Sequence, residues 1–106
     1  MKRNRLSRQI VIQGDVLLFP VDAIPAGGEP QPGDRHVLAL GEVTGHSHTL
    51  HGATLVRHEG ERYVEAGPDA YLAHEDHGPV VVAPGAYRVL QQSEPDLLGG
   101  FRNVAD

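Results

Sequence analysis

Chain breakers set the rhythm of this sequence. Thirteen glycines and eight prolines fall about every eight to twelve residues, the spacing of short strands joined by turns. Gly14-Asp15, Gly67-Pro68-Asp69, Gly78-Pro79 and Pro84-Gly85 each interrupt an apolar run. Proline fixes φ and lacks a donor, and glycine reaches backbone angles closed to other residues. No window of about eleven or more residues repeats apolar positions at helical spacing. The expected fold is therefore all-β, a single small antiparallel barrel or sandwich.

The runs between breakers predict the strands. Gln9 to Gln13 is short and β-branched, with Ile10 and Ile12 on one face and Val11 on the other. Val16 to Val21 is nearly continuous in apolar residues, which predicts a strand buried on both faces. Residues 22–34 hold three prolines and three glycines, predicting a loop without strand or helix. His36 to Val43 resumes as a strand. Ala53–Arg57 and Arg62–Ala66 form a hairpin through His58-Glu59-Gly60-Glu61. A further turn at Gly67-Pro68-Asp69 precedes a strand from Ala70 to Asp76, and Val80–Ala83 and Ala86–Gln92 complete the set. The chain divides into a flexible basic arm (1–8), one β domain (9–92) and a tail (93–106).

Charge narrows the partners. The formal net charge is -5, yet Lys2, Arg3, Arg5 and Arg8 crowd the first eight residues, leaving five arginines against fourteen carboxylates in the body. So acidic a body repels a phosphate backbone, so nucleic acid is not an expected partner. No stretch approaches the ~20 apolar residues of a transmembrane helix, and the basic start lacks a convincing cleavage site, so no membrane is expected and a cytoplasmic location is the default. The absence of cysteine excludes disulfides and thiol nucleophiles. A small β domain with exposed edge strands predicts a homo-oligomer.

Seven histidines carry the chemistry. Four fall in two tight pairs, His46-Ser47-His48 and His74-Glu75-Asp76-His77. Without thiols, imidazole is the main donor for a transition metal and the side chain that titrates near neutrality. Strand alternation projects His46 and His48 from one face, an economical way to present two imidazoles to one cation. In the second motif Gly78-Pro79 ends the strand, so either His74 or His77 can complete the site. Glu75 or Asp76 then serves as ligand, orienter or general base. Glu42, four residues ahead of His46, is a further candidate ligand. His36, His51 and His58 lack a partner at ligand spacing and read as bystanders. Asp15 and Asp34 read as turn caps, and Tyr63, Tyr71 and Tyr87 as half-buried packing residues. The plainer reading of the paired histidines makes them exposed turn residues bonded to backbone carbonyls.

The order of a strand, glycine, His46-Ser47-His48, two strands and Pro84-Gly85-Ala86-Tyr87-Arg88-Val89 resembles a small cupin. That resemblance implies a metal site for iron, zinc, manganese or nickel, with His46 and His48 as the paired ligands and His77 as the later one. The chain departs from cupins in lacking a carboxylate between Thr49 and Val56 and in placing Pro84-Gly85 after His77. The words QGDVLL, LALGEVTGHSH, HEDHGPV and PGAYRVLQQ, spread over residues 9–92, resemble small uncharacterised bacterial and phage-associated proteins. Their ending differs at Ser93-Glu94-Pro95, and the likeness implies no activity. The barrel or sandwich is thus expected to be cupin-like or SH3-like.

The expected function is a metal-binding β domain using His46, His48, His74 and His77 to hold zinc, iron or nickel. It would be a small metal-dependent enzyme, hydrolase or oxygenase, acting on a small molecule, with Glu75 or Asp76 moving the proton. Two alternatives stand beside it. One is a non-catalytic oligomerising module with a structural metal or none. The other is a metal-free phosphodiester hydrolase with two histidines as acid and base.

Overall fold

A computed structural model describes residues 9–40 and 46–92. The basic arm, the tail and Glu42 lie outside the described residues. Within them the chain is all-β and antiparallel: β1 (Val11–Gln13), β2 (Val16–Pro20), β3 (Glu29–Pro30), β4 (Arg35–Leu40), β5 (Ser47–His58), β6 (Glu61–Ala73), β7 (Val80–Val81) and β8 (Gly85–Gln91). Their order in the sheet is β1-β2-β8-β6-β5-β3, with β4 also on β5 and β7 on β6. No ladder joins β1 to β3, so the sheet is open and the barrel alternative does not hold.

The frame is the long β5–β6 hairpin. Its turn, Glu59-Gly60, has φ of 51° and 82°, the positive pair that matches the right-handed twist of the flanking strands. The ladder runs from His58↔Glu61 to Ala53↔Ala66 and resumes at His51↔Tyr71. Gly52 alone therefore faces residues 67–70. It sits at φ +78°, and a Cβ there would lie 3.1 Å from Ala70 Cα. Gly67-Pro68-Asp69 is thus a bulge inside one continuous strand, not the turn that its composition predicts. Glycine opposite lets the extra residues cross.

This bulge gives the hairpin two halves with different neighbours. The half near the turn pairs with β3 and β8, whereas the far half pairs with β4 and β7. β1, at the free edge beyond β8 and β2, meets the far half again. There the Gln13 amide donates to Leu72 O at 3.0 Å. The sheet consequently folds back over one core that includes Val16, Leu18, Leu50, Val64, Leu72, Val82 and Tyr87, all under 2% exposed. Each such aliphatic side chain contributes roughly 1.5–3 kcal/mol by leaving water. The Tyr87 hydroxyl, buried with its ring, donates to Ala83 O at 2.7 Å.

Two other expectations change. β2 is buried on one face only: Val16 and Leu18 point inward, while Phe19 is 44% exposed, because among the described residues no second layer covers the outer face. The loop over 22–34 contains β3, a two-residue strand paired with Val56 and Arg57. Proline is tolerated there because an edge position needs no donor on its outer side.

Candidate metal centre

Three connections meet at one end of the fold: the β1–β2 turn, the start of β5 and the β6–β7 turn. His46 immediately precedes β5, so it stands beside the strand rather than within it. His48 is inside β5, opposite Ala39 of β4, and is 3% exposed. His74 follows the last residue of β6, and Glu75, Asp76 and His77 form the turn that Gly78, at φ +79°, closes.

The four imidazoles cluster around one ring. His74 occupies the middle, with centroid separations of 5.8 Å to His46, 4.2 Å to His48 and 4.6 Å to His77. His48 and His77 are 5.9 Å apart and nearly parallel. A donor atom from each of His46, His74 and Glu75 lies within 4.8 Å of the others, the only such trio of potential metal ligands among the described residues.

Hydrogen bonds decide which nitrogens remain available. His46 Nδ1 lies 2.8 Å from Asp76 Oδ2, which assigns a proton to Nδ1 and leaves Nε2 as the donor atom. His74 differs: its Nδ1 accepts from the backbone amides of Asp76 at 3.0 Å and His77 at 3.3 Å. That lone pair is engaged in holding the turn. Glu75 Oε1 accepts from the Ser47 amide at 3.0 Å. This bond, with its own backbone amide and then His46 and His74, holds the Glu75 carboxyl below its ordinary pKa.

His48 is fixed from below. Both donors of the buried Gln13 amide are engaged, by Leu72 O and by Gly78 O at 2.7 Å. Its Oε1 must then accept from His48 Nδ1, at 2.9 Å. The His48 Nε2 faces Asp15 Oδ1 at 3.4 Å. Burial lowers the His48 pKa first and the neighbouring His74 adds to that, against the opposing pull of Asp15. Gly14 closes the floor, with φ +59° and an ideal Cβ position only 2.9 Å from both His48 Cε1 and His77 Nε2.

The other histidines are elsewhere. His36 Nε2 bonds Gly33 O at 3.0 Å, His51 stacks on Tyr71 at 4.6 Å, and His58 faces Glu59 at 3.9 Å. Asp15, expected as a turn cap, also brings its carboxylate to 3.4 Å from His48 Nε2. Gln13 reads in the sequence only as the end of a strand. Its only sequence signal is parity with Val11, which places a polar side chain on the inward face.

A family model described as "Domain of unknown function (DUF8820)" matches residues 12–92, a span that includes all four clustered histidines, Gln13 and Asp15. No curated protein and no solved structure matches the chain.

Proposed function

The chain belongs to the DUF8820 family, whose description carries no activity, and we propose that it binds a divalent transition metal at this cluster as a small metal-dependent enzyme. His46, His48, His74 and His77 are the proposed imidazole donors, and zinc, iron or nickel the proposed ions. The supporting observation is the convergence of His46, His74 and Glu75 donors within 4.8 Å in a chain without a thiol. Zinc–nitrogen bonds of about 2.0–2.1 Å require modest side-chain closure from there.

The surroundings support the same reading. Asp76 on His46 Nδ1 is the carboxylate–imidazole pair that orients a metal-binding histidine and raises its basicity. Glu75, held ionised by the Ser47 amide, suits an anionic ligand better than a proton acceptor. Asp76 is then the proposed proton acceptor, and a bound cation would supply a water acidified to ~7. The proposed substrate is a small molecule reaching this exposed turn. A second reading, a self-assembling module, draws on Ile12 and Phe19, which are 60% and 44% exposed beside the open β1 edge.

The test is elemental analysis of untagged protein beside His46→Ala/His48→Ala. At least one equivalent of metal per chain, lost in the double variant, is the expected result. No metal after challenge with zinc, iron, nickel and copper would sink the reading and leave metal-free chemistry or the module.

A further inference from the structure

The geometry points to a second cation position, distinct from the His46–His74–Glu75 trio and held by His48 Nε2 and Asp15 Oδ1 with His77 alongside. Gln13 supplies the first premise. Its amide donates twice, to Leu72 O and Gly78 O, so its oxygen can only accept, and His48 must donate Nδ1–H to it. The remaining lone pair of His48, on Nε2, therefore faces the Asp15 carboxylate at 3.4 Å. At that separation the two atoms are held either by a proton on Nε2 or by a metal ion between them, and the metal ion is the reading proposed. A tetrahedral cation with bonds of about 2.0–2.2 Å to nitrogen and oxygen sets those atoms roughly 3.3–3.5 Å apart, the separation found.

The approach of these groups depends on Gly14, since a side chain there would run into His48 and His77 together. Asp15 Oδ2 accepts from Gln91 Nε2 at 3.4 Å, which turns Oδ1 toward His48. The imidazole cluster then has carboxylates on two sides, Asp76 and Glu75 beside His46 and Asp15 beside His48, with His74 between. His48 and Asp15 stand outside the one trio of donors that converges among the described residues, His46, His74 and Glu75, so a second cation, about 3.5–4 Å away as in two-metal sites, would account for them.

The inference shares its histidine cluster with the proposed function, so its test separates the two. Metal-stripped full-length protein is titrated with cobalt(II), read by visible absorption and calorimetry, as wild type, Asp15→Asn and Glu75→Gln. Two equivalents in the wild type, with each variant losing a different one, is the expected outcome. One equivalent lost only with Asp15→Asn keeps this position and overturns the trio. One equivalent lost only with Glu75→Gln does the reverse. One equivalent weakened by both variants means a single shared ion and overturns this inference, and so does no uptake at all. His77→Gln, on an exposed turn, is the second variant and weakens the Asp15 position about tenfold or more if Asp15→Asn folds poorly.

Discussion

His48 carries a proton-linked cost that can be read without metal. Its imidazole is held below the ordinary 6.5, by burial first and by His74 next. Above pH 6.5 both folded and unfolded forms are neutral, so nothing is lost. As pH falls below that value the unfolded chain takes up the proton first, and the folded state loses stability until His48 itself protonates. Urea unfolding in the presence of a chelator should therefore give a lower midpoint at pH 5.5 than at pH 7.5, with a smaller difference in His48→Gln. Gln13→Ala should destabilise by about 1–3 kcal/mol, because it leaves two carbonyls and an imidazole without their partner; the same unfolding series measures it. The histidine pairs were legible from spacing and residue type alone. Gln13 and Asp15 were not, because a strand-end amide and a turn aspartate look ordinary until β1 is known to lie against the far half of β6.

Among the elements, the hairpin of β5 and β6 decides where everything else goes. Gly52 has φ +78° and no room for a Cβ against Ala70, so Gly52→Ala should cost on the order of 1–3 kcal/mol. Chemical unfolding would show it, together with a weakened far half if hydrogen exchange is followed. The strand positions were largely readable from alternation and breakers, and so was the Glu59-Gly60 turn. Two features were not. Gly67-Pro68-Asp69 has the composition of a turn, and only the non-local opposition to Gly52 makes it a bulge. Glu29-Pro30 has no strand propensity of its own; β5 imposes the pairing.

For the whole molecule, an all-β fold was legible because no other class tolerates such frequent breakers. Closure was not, since it depends on whether the first and last strands of the sheet meet, and nothing in either strand's sequence records that. Leu50, fully buried in the far half of the hairpin opposite Leu72, should cost about 2–5 kcal/mol when replaced by alanine. The outer face makes the opposite prediction. Ile10, Ile12 and Phe19 stand exposed, and if they mediate self-association, Ile12→Lys should shift sedimentation toward the monomer without lowering the unfolding midpoint. Among the described residues no helix is long and apolar enough to cross a membrane.

The side-chain bridge from Gln13 to β6 has a kinetic corollary. Where the open edge meets the far half of the hairpin, one amide does what a ladder does elsewhere in the sheet, so this seam is where the fold should breathe. The proposed donors come from both banks of it: Asp15 from one, and His48, His74 and His77 from the other. An ion held across such a seam works as a clasp. It should raise stability by about 2.7 kcal/mol at a hundredfold excess over its dissociation constant, and it should leave no faster than the seam opens. Metal release and exchange of the Leu72 region's amides would then share one rate, and a chelator would report the tempo of the fold's own local opening.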